Sequence, residues 1–438
     1  MLITSLLRSR RGILATAAAY MLGLSATVYS AEQTLSLTEA QRLAVLRSRQ
    51  LLAQDFAAVA AREMAVVASR LPDPIIKFGI ENLPVEGEDR FSLTRDFMTM
   101  RRVGVMQEFT RGDKRRLRSQ ALTQEAEKSL IEKNQALATI QRDTALAWLD
   151  RYYAEAMVSA IGEQAVQVKF AIQAAEGAYR AGRGKLAEVF MAKNALAAID
   201  DRTSEMQRQV IKAKQSLGRW IDVLANAPLG GKPDIKTLRY SLEGIEDQLA
   251  HHPQIAALSK QEEIALSELK LAEANLKPDW SAEVAFSQRG SAYSNMVSVG
   301  VSLPWQWDRA HRQNREVSSK LALLEKAKAL REEALRAHIA EIRSLINEWE
   351  NGKERLARYQ NELIPLANQR TDTTVTAYRG GKSDLAEVLT ARRDQIEVGI
   401  QTLQLEASVA RTWAELNFLF PIEDYIHHDV PALAKEVK

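Results

Sequence analysis

The feature that most constrains this chain is a repeat. Ala178-Tyr179-Arg180-Ala181-Gly182-Arg183-Gly184-Lys185-Leu186-Ala187-Glu188-Val189 recurs as Ala377-Tyr378-Arg379-Gly380-Gly381-Lys382-Ser383-Asp384-Leu385-Ala386-Glu387-Val388, 199 residues later and with eight of twelve positions identical. Ala192 and Ala391 extend the match. Pro72-Asp73 recurs as Pro278-Asp279, and Val103-Gly104-Val105 as Val299-Gly300-Val301. One such match is within chance. Three in the same order mark a duplication, so the fold must be one that two copies of a single unit can build.

Each copy has the same plan, and the expected class is mainly α with a small β part. A helical run ends at the Pro-Asp pair, two strand-like segments follow, then a very long helical run, a Gly-containing break and another helix. The first repeat is placed at 32–227, with a hairpin at about 75–109 and helices at about 38–70, 113–176 and 184–226. A linker covers 228–245. The second repeat is 246–420, with a hairpin at about 280–305 and helices at about 246–274, 309–376 and 383–419, and 421–438 is expected to be a flexible tail.

The strands are clearest in the second copy. Trp280, Ala282, Val284 and Phe286 alternate with Ser281, Glu283, Ala285 and Ser287, and Val297, Val299, Val301, Leu303 and Trp305 alternate with small residues. This is the period-two pattern of a strand with one apolar face. In the first copy Ile76, Phe78 and Ile80 alternate, but the return strand breaks phase at Arg101-Arg102, which predicts a bulge. The helical runs carry no proline from Val85 to Ala227 or from Trp305 to Ile364. Leu335, Ile339, Ile342, Ile346 and Trp349 step by 4, 3, 4 and 3, and Leu356, Tyr359, Leu363 and Leu366 are expected to continue this coiled-coil seam, with Pro365 as a kink.

Residues 1–31 have the make-up of a signal peptide: Arg8, Arg10 and Arg11, an apolar core from Ile13 to Leu24, then small residues. Without that segment the basic and acidic residues are equal in number, so charge gives no reason to expect a nucleic-acid partner. There is no cysteine, which excludes disulfides and thiolate chemistry. No later stretch is apolar for long enough to span a bilayer as a helix, although hydropathy does not detect a β-barrel. Two hairpins give four strands, too few to close a barrel alone. The alternation fits equally a sheet completed by identical subunits in a membrane and a small sheet packed on the helices.

The two Tyr-Arg-x-Gly…Leu-Ala-Glu-Val breaks, Leu363-Ile364-Pro365 before the second, the opening Leu35-Ser36-Leu37-Thr38-Glu39-Ala40, and Leu303-Pro304-Trp305 after the last strand resemble the TolC family of outer-membrane efflux channels. The resemblance covers nearly the whole mature chain. It implies a homotrimer with a 12-stranded outer-membrane β-barrel, surrounded by lipid, on a periplasmic coiled-coil tunnel. It also implies a periplasmic adaptor (membrane fusion protein) and an inner-membrane RND-type pump as partners, and no cofactor. The breaks would lie at the periplasmic tips. Gly182 and Gly381 fit reversals that need positive φ, and Leu186, Val189, Leu385 and Val388 are candidate contacts for the adaptor or for neighbouring helices. By the same resemblance Glu387 falls on an acidic position of the pore constriction, and Glu188 is its counterpart in the first copy. The family's second acidic position is Thr390 here, which departs from the pattern.

Asn82-Leu83-Pro84 and the stretch from Phe91 to Gln107 look most like the heavy-metal branch, which implies cationic cargo. Met98, Met100 and Met106 are soft-ligand candidates, and His251-His252 and His427-His428 are further candidates, with surface histidines the expectation for both pairs. Methionine near a strand is more often packing, so no metal site is assigned. Two other functions stand against the metal channel: the same channel carrying organic compounds, and a periplasmic scaffold or adaptor. No nucleophile elbow, phosphate loop or metal-ligand helix motif is present, which argues against an enzyme.

Overall fold

The computed structural model describes residues 34–241 and 244–422. The segment expected to be a signal peptide, His427-His428 and the residues beyond Ile422 lie outside the described residues.

Helices α1 (Leu37–Arg47) and α2 (Arg49–Ser69) lead to strands β1 (Ile75–Glu81) and β2 (Met100–Phe109). Helix α3 (Gly112–Arg180) carries the chain away from the sheet and α4 (Leu186–Ile221) brings it back. After the linker and a short α5 (Ile245–Leu249), α6 (Pro253–Ala274) leads to β3 (Trp280–Gln288) and β4 (Met296–Ser302). The second outward run is α7 (Gln313–Arg358), a π-helical turn (Tyr359–Leu363) and α8 (Ile364–Arg379), with α9 (Leu385–Asn417) returning. The 69 residues of α3 span about 100 Å at ~1.5 Å each, so the reversals lie far from the sheet. Among the described residues no helix is long and apolar enough to cross a membrane.

Two expected helices are each interrupted near their start. The run 38–70 breaks at Ser48, whose extended backbone ends α1 and whose Oγ accepts from Leu51 N at 3.3 Å to start α2. The run 246–274 breaks before Pro253, which cannot donate into a preceding turn and takes the first position of α6. The expected seam also ends early. Ile342, Trp349 and Leu356 are buried, but Leu363 and Leu366 are exposed. The π-turn explains this. It widens the helix around Asn361, four residues before Pro365, where the proline ring would meet the carbonyl, and the extra residue rotates everything beyond it.

The main core lies between the two ends, where α1, the middle of α3, the second half of α4, α7, and α9 from Ile396 onward converge. Three buried indoles clamp main chain there: Trp148 Nε1 donates to Leu35 O at 3.0 Å, Trp349 Nε1 to Ile235 O at 3.2 Å, and Trp413 Nε1 to Thr237 O at 2.7 Å. Two of these acceptors belong to the linker, which also pairs Leu229 with Leu35 and is therefore a packed element. The start of the tail is held too, since Ile422 N and O bond Gln141 at 2.8 and 2.9 Å.

Candidate functional site

The four strands form one antiparallel sheet in the order β1-β2-β3-β4, the two hairpins joined through β2 and β3. The register assigns every side chain to a face. Phe78, Val103, Phe286 and Val297 form one row, and Ile76, Val105, Val284 and Val299 the next. All eight are exposed, Phe78 by 77% and Val299 by 75%. The face ends toward the helices in aromatic residues: Phe109 stacks on Trp280 with centroids 4.3 Å apart, and Trp305 and Trp307 stand in the open. On the other face Lys77 pairs with Glu283 at 2.7 Å, and Arg102 bridges Glu81 at 2.6 Å and Glu283 at 2.7 Å.

The expected bulge at Arg101-Arg102 is absent. Pairing runs without interruption through both residues, so Arg102 points to the polar face and Arg101 stands on the apolar one, between Ile80 and Gln288. The sequence phase breaks because a charge occupies an apolar-face position, not because the backbone slips.

At the far end the two reversals are built alike. Gly182 has φ +71° and Gly381 φ +72°. Gly182 N bonds Tyr179 O at 3.0 Å and Arg183 N bonds Ala178 O at 3.0 Å, while Gly381 N bonds Tyr378 O at 3.0 Å and Lys382 N bonds Ala377 O at 2.9 Å. These bonds satisfy helix-end carbonyls, and a left-handed residue makes them possible. Val189, Leu385 and Val388 pack with Ala175 and Ala192 into a small core shared by the two reversals. They are therefore internal packing, because the two helical hairpins must bury a common seam to stay together. Of the four apolar candidates only Leu186 is exposed; Phe190 and Met191, which sequence reasoning passed over, are exposed beside it.

Glu387 lies in the first turn of α9. Its N–H bonds Asp384 Oδ1 at 2.8 Å and its carboxylate accepts from Ser383 Oγ. Glu188 reaches back to Lys185 N at 3.5 Å. Both glutamates sit at the third helical position, where a carboxylate caps the helix start, and the Asp384-x-x-Glu387 spacing already signals this. Glu387 remains exposed, and Glu188 is half-buried. Thr390 is exposed as well, and its hydroxyl bonds Ala386 O at 2.9 Å within the helix.

The pattern of the family described as outer membrane efflux protein matches residues 244–420, the whole second copy. The second copy of this chain is similar to that family. The fold is similar to that of a membrane protein from Pseudomonas aeruginosa (TM-score 0.77, 15% identity, covering 92% of this chain and 93% of that one). It is similar to CusC (TM-score 0.76, 13%, 88% and 92%) and to VceC from Vibrio cholerae (TM-score 0.72, 17%, 87% and 95%). No curated protein sequence gives a significant match.

Similarity to the outer membrane efflux family supports a channel protein rather than an enzyme. Met98 lies in the first hairpin loop, whereas Met100 and Met106 fall on the polar sheet face, Met100 opposite Glu81 and Met106 between Ile75 and Glu283. Among the described residues no group of three or more His, Asp or Glu is arranged to hold an ion. His251 is exposed, but His252 is not the surface histidine expected. It starts α6: Nδ1 accepts from Gln254 N at 3.3 Å, Nε2 bonds Leu419 O at 3.0 Å, and the ring lies 4.4 Å from that of His338. Burial, aided by His338, lowers its pKa from 6.5 to about 4.

Proposed function

We propose that the protein is the outer-membrane component of a tripartite efflux system: a homotrimer with a barrel in the outer membrane and a helical tunnel in the periplasm, conducting cargo passively. The observation that carries this reading is the open four-stranded sheet, with an exposed apolar face and two free edges. β1 and β4 run in opposite directions, so β4 of one copy can pair with β1 of the next and keep the antiparallel alternation. Three copies give twelve strands, an even number as a closed antiparallel barrel of one chain type requires. Closure removes the free edges that neither water nor lipid tolerates, with the apolar face toward lipid and the ion-paired face toward the lumen.

The reversals then mark the periplasmic end, which meets the adaptor and the RND-type pump, with Leu186, Phe190 and Met191 as contact surface. Glu387, with Glu188 and Thr390 nearby in the repeat pattern, forms the constriction. Three copies of Glu387 around a narrow pore favour cations. The cargo we assign is heavy-metal cations, on the resemblance of Asn82-Leu83-Pro84 and residues 91–107 to that branch.

Heat-resistant trimers in outer-membrane fractions are expected; recovery as a soluble periplasmic monomer would sink the barrel. Deletion, with the cognate pump expressed, should lower survival on copper, silver, cobalt, zinc or cadmium salts. Loss of tolerance to organic compounds alone would replace the metal assignment. Glu387→Gln should reduce the cation preference of reconstituted channels, and an unchanged reversal potential would remove Glu387 from the constriction.

A further inference from the structure

Among the described residues Arg101 is the one charged side chain on the apolar strand face. Its cross-strand neighbours are Ile80 and Gln288, and Val103 and Val105 follow it on the same side of β2. The corresponding residue of the second copy, two before the Val-Gly-Val triplet, is Val297. Arg102 behind it is held by two carboxylates, whereas Arg101 has no ion pair among the described residues and its Nε is buried without a hydrogen-bond partner. Trimer closure does not change this. β2 is flanked by β1 and β3 of its own chain, so the subunit edges lie at least one strand away.

Its depth is fixed by the strand. Phe109, in the aromatic girdle at the helical end, is eight residues along β2. At ~3.3 Å per residue and a tilt of about 40°, that separation is roughly 20 Å of height, close to the ~25 Å of a barrel's apolar band. Arg101 thus stands at the outer rim, where hydrocarbon gives way to headgroups. A guanidinium there forms paired, charge-assisted hydrogen bonds with a phosphate, while its stem and the flanking Ile80 and Val103 lie along acyl chains. The adjoining loop carries Glu86, Glu88, Asp89 and Asp96. Asp89 pairs with Arg95 at 3.5 Å, and Asp96 Oδ1 accepts from Met98 N and Thr99 N at 2.8 and 3.0 Å.

We infer that Arg101 binds a phosphate of an outer-leaflet lipid, of the phosphorylated glucosamine type that lipopolysaccharide presents, three per trimer. This rests on the barrel proposed above. The test uses purified full-length trimers of wild type, Arg101→Val and Arg101→Lys, incubated with lipid A or with lipid A lacking its phosphates and read by native mass spectrometry. Wild type should retain the phosphorylated form roughly tenfold more strongly, Arg101→Val should lose that preference, and Arg101→Lys should keep part of it. An undiminished preference in Arg101→Val, or equal retention of both lipids by wild type, overturns the inference. So does displacement of lipid A by millimolar inorganic phosphate, which would make this a free-phosphate site. Intact trimers of Arg101→Val in outer-membrane fractions keep the barrel reading standing if only the lipid inference fails; no trimers from wild type would fail the barrel itself.

Discussion

Leu186 and Leu385 occupy the same place in the two copies of the unit, yet Leu186 is 45% exposed and Leu385 is 1% exposed. The glycines four residues before them have the same φ within a degree. The contrast recurs along both copies. The first outward run is one unbroken helix, and the second is divided by a π-turn. The helices that enter the sheet start on Ser48 in the first copy and on His252 in the second, each accepting a backbone N–H at 3.3 Å. The first hairpin has a long loop that leaves no room for a side chain at Gly290 in the short loop of the second. Duplication preserved the order of elements and the glycine reversals, while helix continuity, loop length and side-chain burial diverged according to which neighbours each copy meets.

That contrast can be broken most sharply at the two leucines. Leu385→Ala should cost ~2–5 kcal/mol in chemical denaturation of the full chain, and Leu186→Ala less than about 0.5 kcal/mol. Equal losses would mean that the two tips pack alike. Mutating a sheet face comes next. Val299→Arg on the apolar face should cost ~2–4 kcal/mol on folding into lipid vesicles, against little for Ser298→Arg on the polar one. Similar costs on both faces would contradict a lipid-facing side.

The two helix caps differ in a titration. His252 is held neutral in the fold, with a pKa depressed to about 4, while the unfolded chain takes up a proton near 6.5. Its contribution is complete above pH 6.5 and is lost as pH falls toward 4, by about 3 kcal/mol in all. His252→Asn should cap the helix and flatten the stability–pH curve in that window, a change that Ser48→Asn should not produce. The smallest effect tests sameness: Gly182→Ala and Gly381→Ala should each cost ~1–2 kcal/mol, seen as faster proteolysis at the tip. Unequal costs would show that the two reversals are not equivalent.

The positions legible in the sequence are those set locally. Gly182 and Gly381 were readable because a left-handed residue at a helix end needs glycine, and Val297, Val299 and Val301 because strand side chains alternate at period two. The positions that were not legible depend on distant chain. Val189, Leu385 and Val388 stayed open between adaptor contact and packing on neighbouring helices because nothing local shows that the two helical hairpins bury a common seam. His252 read as exposed because its partners, His338 and Leu419 O, lie on α7 and just beyond α9. Arg101 read as a backbone irregularity because a charge among apolar residues and a bulge leave the same trace in sequence.

By itself the sequence determined the duplicated unit, its alternation of helix and hairpin, and the reversals, all consequences of backbone preferences and side-chain period that act over a few residues. Only the tertiary structure decided that the two hairpins join through β2 and β3 into a single sheet, that its apolar face stays uncovered, and that Arg101 stands on it. Pairing between strands some 180 residues apart fixes those facts, and no local propensity records such a pairing.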